Sequence, residues 1–134
     1  MSSDGVFSLP RYPVHVGLGG TLVVQPEYTG DLAWYESYEG RTRADGRDGR
    51  LVTMHTFSSS WGSWEMHPQG EELVLCVAGR MTLIQELDGS LRELTLEAGD
   101  AAINPAGVWH TADVEGEATA LFITAGLGTE HRPR

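Results

Sequence analysis

The stretch Trp61-Gly62-Ser63-Trp64-Glu65-Met66-His67-Pro68-Gln69-Gly70-Glu71-Glu72 decides the reading of the whole chain. Glu65 and His67 are two residues apart, so an extended strand carries both on one face, roughly 7 Å apart along the backbone. Their side chains are long enough to converge on one ion at bond lengths of about 2.0–2.2 Å. Pro68-Gln69-Gly70 then turns the chain, and Glu72 returns on the next strand. Further on, Asn104-Pro105-Ala106-Gly107-Val108-Trp109-His110 repeats the device: a proline–glycine turn delivers His110 at the start of a strand. These two turn-and-strand segments hold nearly all the potential metal ligands of the chain.

Working outward, short strands alternate with turns. Glu72–Val77 is nearly continuous apolar and stops at Gly79. Met81–Leu87 and Leu91–Leu96 flank Asp88-Gly89, a hairpin signal of type I′. Gly99-Asp100 precedes a strand at Ala101–Ile103, and Val108–Val114 and Ala118–Thr124 complete the series. Upstream, Leu51–Phe57 is rich in β-branched and aromatic residues, and Thr21–Val24 is a short strand candidate. One short helix fits Leu32–Glu39, with Asp31 as N-cap and Gly40 closing it. Arg41–Arg50 reads as an exposed loop able to serve as a lid, and residues 1–20 as an irregular arm. Seven or eight strands at this spacing mean an antiparallel sandwich or barrel. The expected organisation is one domain over 1–134: arm, helix and loop in 1–50, barrel core in 51–125, tail in 126–134.

The composition agrees. Gly 17 and Pro 6 in 134 residues argue against a helix bundle. The nine basic residues are all Arg and stand against 19 acids, for a net charge of −10. A nucleic-acid binder needs a basic face, and so does a protein resting on anionic membrane, so neither partner is expected. The longest apolar run, Leu73 to Ala78, is far short of the roughly 20 residues of a membrane helix. No signal-peptide pattern opens the chain, and Cys76 is alone, so the expected location is the cytoplasm.

The two segments resemble the paired motifs of the cupins, a superfamily of small jelly-roll barrels. The family's first motif, G-x5-H-x-H-x3,4-E-x6-G, is matched by Glu65, His67, Glu72 and Gly79 in spacing, with Ser59 in place of the opening Gly and Glu65 in place of the first His. The second, G-x5-P-x-G-x2-H-x3-N, is matched by Gly99, Pro105, Gly107 and His110, with Val114 in place of the closing Asn. The resemblance implies an all-β double-stranded β-helix, or jelly-roll barrel. It also implies a metal held by Glu65, His67, Glu72 and His110, two carboxylates and two imidazoles where the family usually has one and three. Such oxygen-rich ligands favour Fe, Mn or Zn over copper-like ions. Glu65 is left with two readings, a ligand or an acid/base group.

Strand parity places the remaining residues. Val74 and Cys76 share the face of Glu72, which points Cys76 into the barrel, and Glu71 faces solvent. His55 alternates with Leu51, Thr53 and Phe57, and is either a substrate-contacting residue of the cavity or a structural histidine. Trp64, Met66 and Trp109 face away from the candidate ligands, onto a second sheet or a dimer interface. His131, in the tail, reads as exposed. The resemblance implies a small-molecule ligand in the barrel and an enzyme such as an Fe- or Mn-dependent dioxygenase or isomerase; the alternative is a non-catalytic sensor with zinc. Four Trp in so short a chain also suggest a homodimer.

Overall fold

The computed structural model describes residues 5–134. Its elements in chain order are β1 (Val14–Val16), β2 (Leu22–Val24), α1 (Leu32–Thr42), β3 (Arg50–Phe57), β4 (Ser63–Met66), β5 (Glu72–Leu87), β6 (Ser90–Glu97), β7 (Ala101–Asn104), β8 (His110–Asp113), β9 (Ala118–Thr124) and β10 (Glu130–Pro133). All pairings are antiparallel. One sheet runs β2-β1-β3-β9-β5-β7 and the other β10-β4-β8-β5-β6. Of the sandwich or barrel that the turn spacing allows, this is the barrel, in the jelly-roll form that the resemblance implies.

Glu72–Leu87 is a single 16-residue strand, where the sequence suggests two strands broken at Gly79. Gly79 does bend the chain, at φ +74°, but it does so inside the strand. The first half, through Gly79, pairs with β9 in one sheet, and from Arg80 onward the strand pairs with β6 and β8 in the other. A bulge between Cys76 and Ala78 adds to the bend. β5 is thus the corner that joins the two sheets. The Asp88-Gly89 turn has positive φ at both residues, as a type I′ hairpin requires.

The core lies between the sheets and is built from inward-facing residues of both. Val74, Cys76, Met81, Leu83, Ala112, Ala118 and Ala120 are essentially inaccessible, with Phe122, Leu96 and Val114 beside them. Cys76 points inward, as parity predicts.

The helix begins as expected, with Asp31 Oδ1 accepting from the Trp34 amide at 2.9 Å. It runs past Gly40 to Thr42 and continues into a 3-10 turn over Arg43–Asp48, so the segment read as a loop is mostly helical. Two anchors hold it: Trp34 and Tyr38 are buried against Leu51 on β3, and Asp45 binds the buried His15 of β1 at 2.7 Å. The His15 ring also meets the Tyr38 hydroxyl at 2.6 Å. The N-terminal arm and the helix are therefore clamped together beside β3.

Candidate metal centre

Ladder register alone brings the polar residues together. In one sheet Asn104, Glu72 and Thr124 are directly opposite one another across β7, β5 and β9. In the other, His131, Glu65, His110 and Gln85 form a row across β10, β4, β8 and β5. Directly opposed residues leave a sheet on the same face. Both rows face the barrel interior, with His131 at the exposed edge of its row, 58% accessible, and His67 enters from the end of β4, one residue before Pro68.

Glu72 is buried and receives a donor on each oxygen. Asn104 Nδ2 donates to Oε1 at 2.9 Å and Thr124 Oγ1 to Oε2 at 2.6 Å. Gln85 Nε2 donates to Asn104 Oδ1 at 2.9 Å, which fixes the Asn104 amide and ties the two rows together. The same carboxylate lies 3.2 Å from His110 Nε2 and 3.3 Å from His67 Nε2. Glu65 Oε2 is 3.9 Å from His67 Nε2, and Glu65 Oε1 is 3.4 Å from His131 Nε2.

Hydrogen bonds on the far side of each ring set the tautomers. His110 Nδ1 meets the Val108 carbonyl at 3.3 Å, and a carbonyl only accepts, so Nδ1 carries the proton. His67 Nδ1 meets Thr129 Oγ1 at 2.8 Å. The Thr129 hydroxyl spends its only proton on the Gly126 carbonyl at 2.8 Å, so it accepts from His67 Nδ1. In the neutral rings both Nε2 atoms are lone pairs, buried and without a hydrogen-bond partner. Two inward-facing lone pairs and a carboxylate at 3.2–3.3 Å repel one another unless a proton or a metal cation lies among them. Ligand atoms of Glu65, His67 and His110 all fall within 4.8 Å of one another, close enough to share one ion. The donor set thus fits a divalent metal.

In the metal-free protein a proton can take that place. Burial pushes the Glu72 carboxyl up, but the imidazoles of His110 and His67 outweigh it and hold it below the usual carboxylate range. Burial lowers His67, and the Glu72 carboxylate more than compensates, so its pKa is raised. The centre attracts positive charge.

Above it lies a cavity of about 640 Å³. Its walls are aromatic: Tyr28 and Tyr35 from the arm and helix, His55 and Phe57 from β3, Trp61 and Phe122. The His55 ring is tilted against Tyr28 with centroids 4.8 Å apart, and burial lowers its pKa. Its ring nitrogens bond no group of the described residues and remain available. Tyr28 and Tyr35 share a hydroxyl–hydroxyl bond of 2.6 Å.

All four ligand candidates meet in one place, and His55 lines the cavity above them. Trp64 and Trp109 do face away, and the chain's own Arg132 lies over both, 5.0 and 4.7 Å from the two ring centres. His131 is exposed, as the sequence suggests, yet it lies beside Glu65, and sequence reasoning missed Thr129, which sits in a segment without hydrophobic alternation. It also missed the role of α1 as a cavity wall.

A family model described as the cupin domain matches residues 50–126. The chain belongs to the cupin family. No curated protein matches it significantly. Among solved structures, oxalate oxidase in complex with the substrate analogue glycolate is 18% identical with a TM-score of 0.53, over 60% of this chain and 45% of that one. Peruvianin-I, a cysteine peptidase from Thevetia peruviana latex, is 23% identical with a TM-score of 0.53, over 63% of this chain and 56% of that one. A cupin-2 domain protein from Shewanella frigidimarina is 20% identical with a TM-score of 0.48, over 63% and 71%. The chain thus spans about half the length of the first two. Their named activities differ on one fold, so chemistry must be argued from the site. Cys76 is fully buried and its thiol is pushed up by that burial, the opposite of an activated nucleophile.

Proposed function

We propose that this cupin is a metal-dependent enzyme that oxidises or isomerises a small oxygenated, aromatic-compatible substrate. The observation that carries the reading is the pair of buried, partnerless Nε2 lone pairs of His67 and His110, aimed with Glu72 and Glu65 at the floor of an aromatic cavity. Those four residues would hold a divalent Fe, Mn or Zn, which supplies Lewis acidity and, for Fe or Mn, redox capacity. The two carboxylates balance its charge.

The chain's own residues do the rest. Asn104 and Thr124 hold Glu72 in one orientation, and Val108 and Thr129 hold the two imidazoles, so the centre is organised in advance. Tyr28, Tyr35, Phe57 and Phe122 exclude water and offer ring faces to a flat ligand. His55, kept neutral by burial, has a ring nitrogen free to donate to or accept from an oxygenated substituent. Oxalate oxidase, whose fold this chain shares, binds glycolate, a small oxygenated acid.

Elemental analysis of protein purified without chelator, beside the His110→Ala variant, tests the reading. About one Fe or Mn per chain, lost in the variant, supports it, and oxygen uptake with diols, catechols and keto acids follows. One inert zinc per chain without turnover points instead to a sensor. Protein that neither carries nor takes up metal removes the metalloenzyme reading.

A further inference from the structure

The C-terminal segment lies beyond the matched cupin domain, which ends at residue 126. It is nevertheless wired to two of the four candidate ligands. Thr129 Oγ1 accepts from His67 Nδ1 and is itself fixed by the Gly126 carbonyl. Two residues on, His131 sits directly opposite Glu65 in the β10–β4 ladder, its Nε2 3.4 Å from Glu65 Oε1. That leaves Glu65 Oε2 as the oxygen turned toward His67.

The outer face of the same strand is pinned independently. Arg132 alternates with His131 and lies between the rings of Trp64 and Trp109, neighbours in sequence of Glu65 and His110. It also pairs with Glu86 on β5. Arg132 thus anchors the strap from outside, while Thr129 and His131 turn polar groups toward His67 and Glu65.

We propose that this strap is a working part of the metal centre, with Thr129 and His131 as positioning residues for His67 and Glu65. The proposal rests on the reading of the four residues as metal ligands. Thr129 selects the His67 tautomer that turns a lone pair inward, and His131 occupies one Glu65 oxygen so that the carboxylate presents the other. In this chain the imidazole that replaces the family's missing first His arrives from the tail, behind Glu65 rather than beside it.

The test uses cobalt(II) alone, titrated into the full metal-free chain, with its visible absorption bands and a competing chelator as readouts. Thr129→Val is expected to weaken cobalt binding about 10–100-fold, with little change in the Tm of the metal-free protein, and Thr129→Ser to restore it. His131→Ala is expected to shift the absorption bands, because Glu65 is then free to turn. The proposal is overturned if both Thr129→Val and His131→Ala bind cobalt with wild-type affinity and spectrum. It is overturned equally if Thr129→Ser binds as weakly as Thr129→Val, or if affinity falls only in step with the metal-free Tm. A wild-type chain that binds no cobalt, or a His110→Ala chain that binds it as well as wild type, removes the metal reading itself and this proposal with it.

Discussion

Asn104 Nδ2 donates to Glu72 Oε1 at 2.9 Å, and the two residues are direct partners in the ladder between β7 and β5. A buried carboxylate is expensive unless its oxygens are met, and here strand register supplies one of the donors. Asn104→Leu removes that donor and leaves Glu72 Oε1 without it, while Gln85 keeps its bond to the Ile103 carbonyl. The expected loss in the metal-free protein is about 1–3 kcal/mol, read as a lower urea midpoint with unchanged slope. An unshifted midpoint would show that Glu72 finds another donor.

The two carboxylates differ in setting, and their removal should differ in effect. Glu72 is buried and faces both imidazoles, whereas the Glu65 side chain is 32% exposed and 3.9 Å from the nearer one. Glu72→Gln is expected to reduce metal affinity by more than the roughly 10–100-fold typical of groups behind a ligand. Glu65→Gln should fall within or below that range. Competition against a chelator measures both, and the reverse order would make Glu65 the principal anionic ligand.

His55 should titrate late on the way down in pH. Burial depresses its folded-state pKa, so between that value and the ordinary 6.5 the unfolded chain binds the proton and the folded chain does not. Stability therefore falls as the pH drops below 6.5, and His55→Asn should flatten that part of the profile. The ring's proton resonance should show a midpoint below 6.5. A midpoint at or above 6.5 would mean that the ring is solvated or paired.

How much of this was legible in the sequence depends on how far apart the interacting residues lie. The frame of candidate ligands was readable because Glu65, His67, Glu72, Pro105, Gly107 and His110 sit at fixed spacings around two turns, and a strand's period of two converts spacing into facing. The Asp88-Gly89 hairpin was readable for the same local reason. Thr129 and His131 were not, because their meaning is a register between the tail and β4, more than sixty residues away. Likewise Arg41–Arg50 has the composition of a loop, and only the distant His15 and the buried Tyr38 turn it into a helical clamp. Gly79 carried a correct signal with two meanings, since a glycine that ends a strand and one that bends it look alike in sequence.

The bend at Gly79 can be separated into its two physical demands. Its φ of +74° disfavours any side chain, and a Cβ there would come within 2.1 Å of the Glu117 carbonyl oxygen and 3.0 Å of Ala118 Cα. Both obstacles are backbone, held by the Gly79–Ala118 pairing where β5 leaves β9 for the second sheet. Gly89 has nearly the same backbone, φ +79°, with nothing within 4 Å of the added carbon. Gly89→Ala should therefore show the conformational term alone, about 1–2 kcal/mol. Gly79→Ala should exceed it clearly in denaturant unfolding, because the strand must move away from Glu117 and take the Glu72 end of β5 with it. Glu72 would then lose its alignment with the two imidazoles, and metal affinity should fall in Gly79→Ala but not in Gly89→Ala. Equal losses of stability at the two positions would mean that the turn at Glu117 yields easily and that the corner is softer than its packing implies.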